Sequence, residues 1–160
     1  MRSRVLTLLL PLVAACSGGG GKTDDTGIVG APPDMALHYN VILGGTSGCD
    51  GEETWITGWA DGPLSVTGDS SELTFDFGDG MSFTGSVTNA WQFGFSGDVI
   101  YNEAALSVYG SGSAAMETAD NGDDQMVLDG SIEAEVDDDE FESNNCTIDG
   151  VFKAYELTGL

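Results

Sequence analysis

"LTFDFGDGMSFTGSVTNAWQFGFSGDVIY", residues 73–101, alternates apolar and polar side chains with almost no break. Leu73, Phe75 and Phe77 stand on one face, with Thr74 and Asp76 on the other. After Gly78-Asp79-Gly80, the set Met81, Phe83, Gly85 and Val87 resumes the alternation. After Thr88-Asn89-Ala90, Trp91, Phe93, Phe95, Gly97, Val99 and Tyr101 stay in phase. A period of two marks half-buried strands, and Gly/Asn/Asp clusters between them mark hairpin turns. Three successive antiparallel strands follow from this stretch alone.

The same period runs outward in both directions. In "MALHYNVIL", residues 35–43, Met35, Leu37, Tyr39, Val41 and Leu43 share a face. Leu106, Val108, Gly110, Gly112, Ala114 and Met116 form the next strand after Tyr101. "DNGDD" at 120–124 turns the chain. Met126, Leu128, Gly130, Ile132, Ala134 and Val136 then oppose a comb of Asp129, Glu133 and Glu135. Ile148, Gly150, Phe152 and Ala154 come last. No stretch carries a sustained helical period. A short repeat, apolar-polar-Gly-any-apolar, reads "FTGSV", "FSGDV", "LDGSI", "IDGVF" and more loosely "ITGWA". Its glycine falls on the apolar face, where it lets a strand coil or bend as a small barrel requires. Such glycines leave interior volume that either neighbouring side chains or a lipocalin-like apolar ligand would fill.

One segment admits two readings. "ETWITGWADGPLSVTG", residues 53–68, is either one long strand with a bulge at Asp61-Gly62 or a hairpin turning there. The first gives eight strands, with Ile56, Gly58, Ala60, Leu64 and Val66 on one face and Trp55 and Trp59 on the other. The second gives nine. Cys49 and Cys146 separate them. In an oxidising compartment two such cysteines form a disulfide; two Cys and the single His38 are too few for a structural zinc. In an up-and-down barrel the first and last strands are neighbours. With eight strands the end of the first meets the start of the last at one rim; with nine the cysteines fall at opposite rims, beyond reach. The expectation is an all-β fold, an antiparallel up-and-down β-barrel of about eight strands over residues 35–160, with a β-sandwich as the alternative.

Composition limits function. The chain has 160 residues, 27 acids and a formal charge of −23. Such a surface repels phosphate backbones, which excludes nucleic acid as a partner, and it repels anionic membrane surfaces. A membrane-spanning barrel needs an apolar outer face, whereas the outward positions here are Ser, Thr, Asp and Glu.

The N-terminus is an address. Arg2 and Arg4 precede an apolar run, Val5–Val13, too short to span a bilayer but suited to a secretory signal. Val13-Ala14-Ala15-Cys16 resembles the lipobox of bacterial lipoproteins, with Val where the family usually has Leu. The resemblance implies cleavage of residues 1–15, a diacylglycerol on Cys16 and acylation of its amine. Ser17, in place of the Asp that retains such proteins in the inner membrane, implies the outer membrane or cell surface. Residues 16–34, rich in Gly, Asp, Thr and Pro, then form a flexible tether. Loss of both arginines leaves Lys22 and Lys153 against all 27 acids, a charge of about −25.

Candidate chemistry is sparse. On the eight-strand reading one rim gathers the loops 45–53, 78–80, 102–105 and 137–145. Asp50, Glu52, Asp137, Asp138, Asp139 and Glu140 there are hard oxygen ligands of the kind Ca²⁺ takes, although their spacing matches no EF-hand and a solvated acidic loop is the ordinary meaning of such a run. No other cofactor is implied. Trp55 and Trp59, if outward, form an aromatic strip for a sugar or a partner protein; if inward, they are core. His38 lies on a polar strand face with no nucleophile that sequence can pair with it. No catalytic constellation emerges, and carboxylate pairs of the glycosidase kind can be drawn too freely to mean anything. The expectation is a lipid-anchored, non-catalytic envelope protein for binding or envelope structure, the alternatives being a Ca²⁺-stabilised surface module and a carrier of a small apolar ligand. Its membrane contact is the lipid; a protein or glycan partner is left unnamed.

Overall fold

The computed structural model describes residues 32–49, 54–137 and 146–157. Eight antiparallel strands close into a barrel in simple chain order, each pairing with its sequence neighbours and the last with the first. They are β1 (His38–Gly48), β2 (Gly62–Asp69), β3 (Glu72–Asp76), β4 (Ser82–Val87), β5 (Gln92–Tyr101), β6 (Ala104–Thr118), β7 (Asp124–Asp137) and β8 (Cys146–Glu156). One helix, α1 (Thr54–Ala60), precedes β2. The chain enters and leaves at one mouth, the entry mouth, where the Leu157 amide donates to the His38 carbonyl. At the far mouth lie α1, the turns 77–81 and 102–103, and the ends of β1 and β7.

The period-two faces are realised as expected. Tyr39, Val41, Leu64, Val66, Leu73, Phe75 and most of their in-phase partners are buried or half-buried, and most alternates face solvent; the exceptions are Met116, in phase but 50% exposed, and Val127, out of phase but 1% exposed. Cys49 and Cys146 form a disulfide with Cα atoms 5.3 Å apart, joining the end of β1 to the start of β8 at the far mouth. The eight-strand count and the closure therefore stand together.

Four inward glycines, Gly85 and Gly130 of the repeat with Gly110 and Gly112 of β6, lie beside aromatic rings. Register places Phe95 opposite Gly110 on one side and Gly85 on the other, Phe93 opposite Gly112, and Phe152 opposite Gly130. A Cβ on Gly110 would run into the Phe95 ring; one on Gly112 would come within 2.8 Å of Phe93 Cζ, and one on Gly85 within 2.9 Å of the Phe75 ring. Each glycine is a seat against which an aromatic ring lies, the cross-strand partnership that stabilises glycine in sheets. Phe95 is the hub, with ring centroids of Phe75, Phe77, Phe83 and Phe152 at 4.7, 5.7, 5.8 and 6.5 Å. The space beside these inward glycines is occupied by phenyl rings.

The segment 53–68 corrects the sequence reading. Residues 62–69 are a strand with Leu64 and Val66 inward, but Thr54–Ala60 is a helix, not the first half of that strand. Its buried residues are Ile56, Trp59 and Ala60, at i, i+3 and i+4, while Thr57 and Gly58 are exposed. That is the apolar stripe of a helix. Gly58, read as an inward strand glycine, instead leaves room for the Tyr101 hydroxyl, 2.5 Å from where its Cβ would stand. Trp59 inserts at the far mouth with its ring centroid 5.4 Å from Phe77 and 5.6 Å from Phe83.

Candidate functional site

Of the rim carboxylates, Asp50, Glu52, Asp138, Asp139 and Glu140 lie outside the described residues, as does Cys16. Asp137 ends β7 on the outer face, opposite Ala105. Among the described residues no cluster of three or more His, Cys, Asp or Glu side chains is placed to hold a metal. Trp59 is 4% exposed and belongs to the core, so it does not form an outward strip. Trp55 falls in α1, and its side chain lies outside the described atoms.

His38 acquires neighbours that sequence reasoning did not supply. It stands opposite Ser65, which stands opposite Asp76, in one row across β1, β2 and β3. The serine is in the middle, so the carboxylate cannot orient the imidazole as a nucleophilic triad requires. Asp76 Oδ1 instead accepts from the Gly78 amide at 2.9 Å, holding the β3–β4 turn.

The outer wall over β4–β7 carries a broader feature. Two cross-strand rows lie next to each other there. One runs Thr84, Ser96, Tyr109, Glu133; the other runs Ser86, Gly94, Ser111, Ser131. The second row contains no side chain larger than serine, and a Cβ on Gly94 would find nothing closer than 3.6 Å. The surface dips accordingly into an open recess of about 560 Å³, floored by the backbone of Gly85, Phe95 and Gly110 and flanked by Tyr109 and Glu133. Tyr109 is 49% exposed, and no ring partner touches it among the described residues. No hydrogen bond ties the recess side chains to one another or to the wall among the described residues.

Nearer the entry mouth β7 is covered from its two neighbours. Lys153 on β8 bridges to Glu117 on β6 at 3.2 Å and lies 5.6 Å from the centroid of the Tyr155 ring. Register puts Val127 of β7 beneath that span, and Val127 is 1% exposed although it points outward. The Glu117 carboxylate holds the Lys153 amine above its ordinary pKa, first through the hydrogen bond. Lys153 is the sole cation among the described residues and is engaged there, so the recess is bordered by carboxylate alone. Beyond Glu133 the row continues to Asp149 on β8, a like-charge pair with no cation between them.

In chemical terms the recess offers hydroxyls that both donate and accept, one carboxylate that accepts, and one phenol with its ring face open. It holds no base paired with a nucleophile. The chain matches no family model, no curated protein and no solved structure.

Proposed function

We propose that this chain is a lipid-anchored cell-envelope protein whose barrel is a non-catalytic binding module that works from its outside. The anchor is the diacylglycerol implied at Cys16, with residues 16–34 as tether, at the outer membrane or cell surface. One observation carries the binding reading. The interior that a carrier would need is filled by Phe75, Phe83, Phe93, Phe95 and Phe152 seated near or against glycines, while the wall over β4–β7 is recessed and bears a bare aromatic ring. Open clefts with a few convergent polar groups are where ligands bind.

The test uses the full chain in its own envelope. A Cys16→Ser variant is expected to leave the membrane fraction. A photoreactive diazirine side chain at Ser111, within the recess, is expected to give adducts that the same group at Thr67, on the diametrically opposite strand β2, does not. Equal yields at both positions, or none at Ser111, overturn the outer-wall reading; retention of Cys16→Ser in the membrane overturns the anchor.

A further inference from the structure

We infer that the recess over β4–β7 takes an uncharged oligosaccharide, with Tyr109 as the stacking platform and Glu133 as the principal hydrogen-bond acceptor; this rests on the outer-wall reading above. The chain's formal charge of −23 opposes any anionic ligand, phosphorylated and uronic sugars included. The recess itself carries a single charge, Glu133, against the hydroxyls of Thr84, Ser86, Ser96, Ser111 and Ser131. A cation would meet only one carboxylate among the recess residues, Glu133. What the recess matches is a ligand rich in hydroxyls and free of charge.

Geometry supports the same class. Strands lie about 4.8 Å apart, so rows crossing four of them extend roughly 14 Å. A short chain of sugar rings laid along the rows meets a hydroxyl on each strand of the first row up to the Tyr109 ring. The open face of that ring accepts the C–H face of a pyranose, burying apolar area that is otherwise 49% exposed. Glu133, directly across from Tyr109, has two oxygens free to accept from adjacent sugar hydroxyls. Gly94 supplies the depression that admits a ring substituent, since any side chain at this outward position would fill it.

Calorimetry on the full lipoprotein, held in a detergent without a sugar headgroup, tests this with cellohexaose, chitohexaose and maltohexaose as neutral probes, a polyuronate as anionic probe and oligolysine as cationic probe. At least one neutral probe is expected to bind, with an affinity changed less than about twofold by 0.5 M salt, because no ion pair is involved. Tyr109→Ala is expected to weaken it about tenfold or more. Glu133→Gln should cost about threefold to tenfold. Gly94→Val fills the recess from outside without touching the Phe core, so it should abolish binding at unchanged or raised melting temperature. Binding of oligolysine or polyuronate with no neutral probe bound, no binding of any probe, or binding untouched by both Tyr109→Ala and Gly94→Val overturns the ligand class. If Ser111 adducts persist in that case, the outer-wall reading survives and only the sugar is wrong; if they are absent, both fall.

Discussion

The two halves of the barrel wall are built to different heights. On one side β2, β3 and β4 have 8, 5 and 6 residues; on the other β5, β6, β7 and β8 have 10, 15, 14 and 11. On the tall side the long ladders carry aromatic rings and the glycines that seat them, and α1 touches it where Gly58 meets the Tyr101 hydroxyl at the end of β5. The low side leaves the interior open toward the far mouth, and α1 leans over it with Trp59 against Phe77 and Phe83. One core is thus finished twice, by register where strands are long and by a plug where they are short.

The largest test of this difference removes what both halves share. Replacing Cys49 and Cys146 by Ser frees a loop closed over a sequence separation of 97 residues, expected to cost about 4–5 kcal/mol in chemical denaturation by the loop-entropy argument. A loss below about 1 kcal/mol would mean that the two ladders flanking β1 suffice for closure. Next come Trp59→Ala and Phe95→Ala, each about 3–5 kcal/mol as large-to-small changes in a packed core. Hydrogen exchange distinguishes them: Trp59→Ala should raise exchange first in β3 and β4, whereas Phe95→Ala should raise it on both sides. If Trp59→Ala exposes β6 and β7 equally, the plug does not belong to the low side alone.

Smaller effects sharpen the tall side. Gly110→Val forces a branched side chain into the Phe95 ring, an overpacking cost of about 2–3 kcal/mol; a neutral result would show that the ring does not need its seat. Tyr39, 0% exposed and donating from its hydroxyl to the Met35 carbonyl at 3.2 Å, has its phenol pushed well above the ordinary value of 10.0, by burial first and then by Glu156 and Asp34. Above pH 10 the unfolded chain therefore releases a proton that the barrel retains. Stability should fall as pH rises, by up to about 1.4 kcal/mol per unit, and Tyr39→Phe should flatten that alkaline limb. Last, the β5–β6 turn places Asn102 and Glu103 at φ +50° and +74°. Glu103→Gly should raise stability by about 1 kcal/mol, since glycine adopts this backbone without steric cost.

Most of the wall was legible in the sequence, because the alternation of "LTFDF" or "WQFGFSGDVIY" has one structural meaning and a slip by one residue would expose every phenylalanine. The helix was not. Ile56 and Ala60 are four residues apart, two full periods of alternation and about one helical turn, so both periods bury them. Gly58 and Trp59 distinguish the two, the glycine outward and the tryptophan inward on the helix, and a glycine and a tryptophan on opposite strand faces carry little signal within seven residues. The recess was out of reach for a different reason. Thr84, Ser96, Tyr109 and Glu133 are merely polar or outward positions until the register of three ladders sets them in a row, and periodicity fixes the face of a strand, not its offset against the next. His38, Ser65 and Asp76 came together by the same route.

The disulfide has a mechanical consequence. For a chain tethered as proposed, any tug from the membrane arrives at β1, the first strand past the tether, and drags it lengthwise out from between β2 and β8. Unravelling reaches the sulfur link at residue 49 and stops, because beyond that point the load passes directly into β8. A chain so anchored would lose one stave, and with it the two ladders that close the cask, before the crosslink takes the load.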